Sequence, residues 1–166
     1  AVGAPLEAPD KTWTYIEFPE TKCRDGSPAG IALSKNSASN KLMIYLEGGG
    51  GCFDSTTCLV SPGDTSAFKP EKTTGIFNRS KPQNPVADWN YVYVPYCTGD
   101  IHGGAKKNGT VEGVAGVHQF TGYSNIKTFL QRVVPTFPAT TDVLLAGISA
   151  GGFGTAQSAV LVASAF

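Results

Sequence analysis

Residues 141–152 read TDVLLAGISAGG, and this stretch decides the predicted fold. Its first half is an apolar run typical of a buried strand, and the residues after it have the small, apolar composition of a buried helix. Between them stands Ser149, in a G-x-S-x-G pattern. A serine on such a tight strand-to-helix turn needs small neighbours, and Gly147, Gly151 and Gly152 supply them. The pattern predicts a nucleophilic serine at a helix N-terminus, where negative charge is favoured.

Four other segments have the composition of strands. Two are nearly continuous in apolar character, as expected of strands covered on both faces: Lys41–Glu47 and Trp89–Tyr96. Thr12–Phe18 alternates, and Ala29–Ser34 follows it after a turn, so this pair is predicted to be antiparallel.

A helix is predicted before the last strand. A proline, Pro135, is expected to end this helix. Five apolar residues recur there at helical spacing: Tyr123, Ile126, Phe129, Leu130, Val133. The order of buried strand, helix, buried strand and helix is that of an α/β fold with a parallel sheet. The segment from Cys52 to Ala87 is polar and rich in proline, so we expect long loops with one short helix over the carboxyl ends of the strands.

The predicted architecture is one domain, residues 1–166, with a doubly wound, mostly parallel sheet of α/β-hydrolase type. A sheet that holds its nucleophile here normally continues with more strands and helices. The helix after Ser149 is apolar on several sides and is expected to be covered. The sequence is therefore interpreted as the amino-terminal portion of a larger domain.

A run of four glycines follows another predicted strand, in YLEGGGGC, residues 45–52. Backbone N–H groups in such a loop can approach a ligand without obstruction by side chains. In esterases they join the N–H of the residue after the nucleophile to form an oxyanion hole, which here would comprise Gly49, Gly50 and Ala150. A phosphate cradle is the alternative, but the G-x-x-x-x-G-K-[ST] pattern is missing.

Three polar side chains are further candidates for lining the site. Glu47 ends a buried strand directly before the glycines, so we expect it to bond the N–H groups of the loop and to order the oxyanion hole. Asp100 and His102 follow another strand and are expected near the same sheet edge. His102 could act as the base or simply line the surface, and Asp100 could line the cleft or stabilise a turn. His118 precedes the predicted helix.

The four cysteines favour disulfides over a metal site, because neither paired C-x-x-C spacing nor a histidine at ligand spacing accompanies them. Cys52 and Cys58 enclose five residues, which a bridge can span if the chain turns back. Cys23 and Cys97 would then pair, one of three possible connectivities. Disulfides imply a secreted or periplasmic protein. The sequons at Asn78 and Asn108 would accept glycans only in a eukaryotic secretory pathway.

Composition excludes two classes of partner. With 13 basic and 13 acidic residues, the formal net charge is zero and there is no basic stripe for nucleic acid. No apolar run approaches the roughly 18 residues that span a bilayer.

Three ordered motifs together resemble the pectin acetylesterase family, which includes the Wnt deacylase Notum. They are YLEGGGGCFDSTTC, DWNYVYVPYCTGDIHGG and GISAGGFGT. The resemblance implies a secreted serine carboxylesterase of α/β-hydrolase type that works without a cofactor. It implies Ser149 as nucleophile, oxyanion donors at the three positions already named, and the disulfides Cys23–Cys97 and Cys52–Cys58.

The expected substrate is an ester, most simply an acetyl group on a polysaccharide such as pectin. A lipid or polyester esterase and a non-catalytic binding module are the alternatives. Family members of the Notum type carry a tryptophan where this chain has Gly50, which weakens a lipid-deacylase reading. The triad Asp and His are expected from a second polypeptide or from sequence outside these residues, because none follows Ser149. A complete minimal hydrolase with His102 as base is a further possibility.

Overall fold

The computed structural model describes residues 3–166 and has a five-stranded mixed sheet with a separate two-stranded hairpin. The strands of the large sheet are β1 (Thr14–Phe18), β2 (Ala29–Ser34), β3 (Lys41–Leu46), β4 (Asn90–Val94) and β7 (Asp142–Gly147). The hairpin consists of β5 (Lys106–Val111) and β6 (Val114–Phe120). The helices are α1 (Ser55–Val60), α2 (Gly122–Thr136) and α3 (Ala150–Ala163), with a 3-10 turn at Gly75–Phe77.

The spatial order of the large sheet is β1, β2, β4, β3, β7. The first two strands pair antiparallel, as predicted, and β2 also pairs antiparallel with β4. The strand β3 lies between β4 and β7 and is parallel to both. Its carboxyl end therefore lies beside those of its neighbours, and Leu46 is in register with Gly147. The strand that precedes the four glycines and the strand that precedes Ser149 consequently end side by side.

One face of the sheet carries the main core, built with α2 and α3. Four of the five apolar positions of α2 that recur at helical spacing are buried there, and Tyr123 is only partly buried. The core comprises these residues with Val162 of α3 and inward-facing residues of the strands: Ile31, Leu33, Leu42, Ile44, Leu46, Val92, Val94, Ile126, Phe129, Leu130, Val133, Val162. This packing confirms the predicted order of strand, helix, strand and helix.

The opposite face is covered by the long segment between β3 and β4. Tyr91 and Met43 are fully buried there against Val86, and Trp13 stacks on Tyr91. Phe77, from the 3-10 turn, contacts the same aromatic group. The expectation that this segment lies over the carboxyl ends of the strands holds for residues 62–72, which reach Glu47. Phe77, Val86 and Trp89 of the same segment pack on the face of the sheet instead.

One predicted feature of the helices was wrong. The helix α2 continues through Pro135 to Thr136. A proline there frees the carbonyl four residues earlier, and Gly3 N–H donates to that carbonyl, of Gln131, at 2.8 Å. The helix α3 leaves apolar side chains exposed, with Phe153 64% and Val160 79% exposed, which accords with the expectation that further chain covers this helix. The hairpin β5–β6 was not predicted at all.

Candidate functional site

Ser149 stands at the junction of β7 and α3 with an unusual backbone conformation. Its φ is 54° and its ψ is −120°, a combination that a residue with a side chain adopts only at a cost. The side chain is exposed, and Ala150 begins the helix directly after it. A serine held in this way presents its hydroxyl at the end of the strand, as the sequence pattern predicted.

The turn is possible only because the surrounding residues are glycines. A Cβ at Gly151 would overlap the carbonyl of Leu46, and a Cβ at Gly147 would overlap the backbone of Gly151. The first turn of α3 is thus pressed against the end of β3. This close approach brings the helix N-terminus to the residues that lead into the glycine run.

The glycine run lies beside the serine. A Cβ at Gly48 would be 2.6 Å from the carbonyl oxygen of Ile148 and 3.1 Å from Cβ of Ser149. Gly50 has φ 75°, in the left-handed region that favours glycine. Among residues 3–166, no acceptor is found for the N–H groups of Gly48 to Gly51, whereas Cys52 N–H donates to Gly99 O at 2.7 Å. Four consecutive free donors next to the exposed serine can bind an oxyanion.

Glu47 makes hydrogen bonds that differ from the expected ones. Its carboxylate accepts the hydroxyl of Tyr93 at 2.8 Å and the backbone N–H of Tyr96 at 2.9 Å. The expected hydrogen bonds to N–H groups of the glycine loop are not formed. The physical reason is the parallel register, which places the end of β4 next to Glu47.

Tyr96 connects this carboxylate to the glycine loop, and sequence reasoning missed its role. Its hydroxyl donates to Gly50 O at 2.7 Å and accepts the N–H of Ile101 at 2.9 Å. Burial raises the pKa of Tyr96 to about 12, so the phenol remains a donor at neutral pH. The only signal in the sequence was its position at the end of a buried strand.

His102 is not positioned as a base or as a cleft residue. Its side chain is 2% exposed, and Nε2 donates to the carbonyl oxygen of Glu47 at 2.8 Å. Its ring also lies 4.8 Å from that of Tyr96, and Gly154 of α3 packs against its Cβ. Burial lowers the pKa of His102, which favours the neutral ring. The histidine thus holds the backbone of Glu47, the residue that precedes the glycine loop.

Asp100 mainly stabilises a turn, the less specific of its two predicted roles. Its carboxylate accepts the hydroxyl of Thr98 and the backbone N–H groups of Gly104 and Gly122, the last at 2.7 Å. The contact with Gly122 holds the N-terminus of α2, and Asp100 also borders a cavity. His118 lies on β6, is 8% exposed, and has no hydrogen-bond partner for Nε2 among the described residues.

Two disulfides join the loops around the site, Cys52–Cys58 and Cys23–Cys97, the pairing expected from the resemblance. The first closes the segment directly after the glycine run. Arg24 follows Cys23, and its buried guanidinium donates to the carbonyls of Cys58 and Ser61. The bridges and this arginine thus tie together three loops at the carboxyl edge of the sheet.

Cavities lie on both sides of the glycine run. One of about 520 Å³ separates the Cys52–Cys58 loop from the β5–β6 hairpin and is bordered by Gly51, Phe53 and Lys106. The other, of about 290 Å³, is bordered by Gly48, Phe68 and Lys72. Within residues 3–166, no cluster of three or more His, Cys, Asp or Glu side chains could hold a metal ion. None of the described helices is both long and apolar enough to cross a membrane.

Comparisons with known proteins identify similar chains. Residues 9–164 match the family described as Pectinacetylesterase. Palmitoleoyl-protein carboxylesterase notum1' of Xenopus laevis is 32% identical over 152 residues, covering 86% of this chain and 30% of the relative. Inactive palmitoleoyl-protein carboxylesterase notum1b of Danio rerio is 35% identical over 96 residues, covering 50% of this chain and 66% of the relative.

The fold also has a counterpart of known structure. The Wnt deacylase Notum from Drosophila superposes with a TM-score of 0.74 at 23% identity, over 94% of this chain and 48% of that one. The superposition supports the α/β-hydrolase-type fold. The chain spans 30% of the length of the Xenopus relative, so the match concerns one part of a longer protein.

Proposed function

Since the chain belongs to the pectinacetylesterase family, we propose that it carries the nucleophile and the oxyanion hole of a serine carboxylesterase. One observation carries the proposal. Ser149, exposed and held at φ 54°, lies against Gly48, the first of four residues whose N–H groups have no acceptor among residues 3–166. A strained nucleophile beside free donors is the arrangement that acyl transfer requires.

In the proposed reaction, Oγ of Ser149 attacks the ester carbonyl carbon while its proton passes to a base. The carbonyl oxygen becomes an oxyanion and is bound by the N–H groups of Gly49, Gly50 and Ala150. Collapse of the tetrahedral intermediate breaks the bond to the alcohol, which leaves with a proton. Water then hydrolyses the acyl-enzyme, releasing the acid and the free serine.

The base and its acid partner are proposed to lie outside residues 3–166. His102 is buried with Nε2 bound to a backbone carbonyl, and His118 is buried in the hairpin. In the Xenopus relative, the matched region is 30% of one longer chain. The expectation of a separate second polypeptide therefore has no support from that relative.

The substrate is proposed to be an acetyl or other short acyl ester of a polysaccharide. The family description favours pectin. The cavities beside the glycine run include charged residues, Lys72 and Asp64 in one and Lys106 and Glu112 in the other, and such linings suit a hydrated sugar better than a lipid chain. An ester of palmitoleate is the alternative, since the relatives' names specify that acyl group. Two disulfides support a secreted or periplasmic location.

The test of the serine is covalent labelling of the complete protein by a fluorophosphonate. We expect stoichiometric labelling that Ser149→Ala abolishes, together with activity on acetylated pectin and p-nitrophenyl acetate. Ser55→Ala is the matched control, because Ser55 is an exposed serine at the start of α1, and it should label normally.

Absence of labelling in the folded wild-type protein would instead support a non-catalytic module, a possibility that the inactive Danio relative illustrates. A faster reaction with p-nitrophenyl palmitate than with the acetyl esters would favour the lipid alternative.

A further inference from the structure

Tyr96 is a buried side chain that contacts the glycine loop on its inner side. It is 1% exposed, and its hydroxyl bridges two backbone groups, Gly50 O and Ile101 N–H. Its ring also fills the space under the preceding residue, since a Cβ at Gly49 would lie 2.7 Å from Cδ1 of Tyr96. At Gly50 itself the side opposite the backbone is open, because no atom lies within 4 Å of a Cβ placed there.

The bond to Gly50 O has a direct consequence for the donors of the loop. The peptide group is planar and trans, so its C=O and N–H point in opposite directions. With the carbonyl of Gly50 drawn inward to the phenol, the N–H of Gly51 is directed outward. The same bond fixes ψ of Gly50, a glycine with φ 75° that would otherwise sample many conformations.

Tyr96 is itself held in place on three sides. Its backbone N–H donates to the carboxylate of Glu47 at 2.9 Å, and its ring packs against the ring of His102. The N–H that its hydroxyl accepts belongs to Ile101, a β-branched residue at φ 52°. A β-branched residue in the left-handed region is an outlier that persists only when its surroundings enforce it.

We propose that Tyr96 is a positioning residue of the reaction, whose hydroxyl sets the orientation of the Gly50–Gly51 peptide and so keeps the donors of the glycine loop directed at the ester oxygen. This inference rests on the proposed esterase function. It also adds Gly51 N–H to the donors that face the substrate. An oxyanion forms only along the reaction, so a misdirected loop lowers kcat and leaves substrate binding nearly unchanged.

Tyr96→Phe removes the hydroxyl and keeps the ring. Tyr91→Phe is a matched control, because Tyr91 is 0% exposed and its hydroxyl donates to Val86 O at 2.7 Å, on the sheet face that packs against the long segment. In the complete protein, we expect Tyr96→Phe to lower kcat by roughly 10- to 100-fold with KM within about twofold. The Tyr91→Phe variant should keep both constants within about twofold.

A second measurement does not depend on catalysis. In ¹⁵N-labelled protein, Tyr96→Phe should shift the amide resonances of Gly49, Gly50 and Gly51 and accelerate their hydrogen exchange, and Tyr91→Phe should leave them unchanged. Unchanged loop resonances in Tyr96→Phe, or an equal loss of kcat in both variants, would overturn the inference. If Ser149→Ala were fully active, the esterase mechanism would fail, and the resonances would still decide whether Tyr96 positions the loop.

Discussion

Glu47 acts on the glycine loop through the neighbouring strand. Its carboxylate accepts two donors, the hydroxyl of Tyr93 and the backbone N–H of Tyr96, and its carbonyl accepts Nε2–H of His102. Burial and the adjacent Glu47 carboxylate raise the pKa of Tyr93, which keeps its phenol protonated as a donor. The residue before the loop is therefore fixed by both its side chain and its backbone.

Glu47→Gln should lower turnover roughly fivefold without changing the fold. The amide oxygen can still accept the N–H of Tyr96, and the amide nitrogen can donate to the Tyr93 oxygen, but the charge that strengthened both bonds is lost, at a cost of about 1 kcal/mol. Steady-state kinetics of the complete protein and far-ultraviolet circular dichroism provide the measurement. Full activity in this variant would refute a role for the carboxylate in ordering the oxyanion hole.

At this scale, the sequence indicated the residues whose role depends on local backbone geometry. Ser149 and the glycine run were identified because a tight turn and a side-chain-free loop require particular residues at adjacent positions. Tyr96 could not be identified, since its contact with Gly50 joins positions 46 residues apart. That contact exists only because β3 and β4 pair in parallel.

At the scale of elements, the junction of β3, β7 and α3 positions the site. The strands end in register at Leu46 and Gly147, and the first turn of α3 then crosses the end of β3. No side chain fits between them, because a Cβ at Gly151 would overlap the carbonyl of Leu46 and lie 2.9 Å from Glu47 O. The helix can lie this close to the strand only because Gly151 has a hydrogen atom in place of a side chain.

Gly151→Ala should destabilise the protein by about 3 kcal/mol, since the helix must move away from the strand to admit the methyl group. Gly152→Ala is the matched control at the next position, where the nearest atom to an added Cβ is Gly147 O at 3.9 Å. It should be neutral or slightly stabilising, because alanine favours the helix by up to about 1 kcal/mol. Urea unfolding of both variants measures the difference.

Equal stability of the two alanine variants would show that α3 is not in contact with the end of β3. If Gly151→Ala were destabilised as expected yet retained wild-type turnover, the close approach would serve stability alone. The expected outcome is that turnover falls as well, because α3 carries Ala150, one of the proposed oxyanion donors.

For the whole molecule, the buried imidazole of His102 links stability to pH. Burial lowers the pKa of this histidine below its ordinary value near 6.5, whereas the unfolded chain titrates at the ordinary value. Below pH 6.5, the unfolded state therefore binds a proton that the folded state does not. The stability associated with the neutral ring is present above pH 6.5 and is lost as the pH falls toward the folded pKa.

We expect the free energy of unfolding to decrease between pH 6.5 and 5.5, by at most about 1.4 kcal/mol from this group. His102→Gln should flatten the dependence in that interval, because glutamine can donate to the carbonyl of Glu47 without titrating. Urea unfolding at pH 7.5, 6.5 and 5.5 is the measurement, with His118→Gln as the control at the other of the two histidines. A slope in His102→Gln equal to that of the wild type would contradict the assignment.

The sequence by itself determined the strands of the large sheet, the tight turn at Ser149, the glycine loop and the α/β order, because each follows from hydrophobic periodicity or from backbone constraints on a few adjacent residues. The structure decided how distant side chains meet. It placed His102 beneath the loop rather than in a cleft, and it directed Glu47 to Tyr93 and Tyr96 rather than to the glycines. These contacts depend on the parallel register of β3 with β4 and on the packing of α3. Both arise from interactions between segments far apart in the chain, which local sequence patterns do not encode.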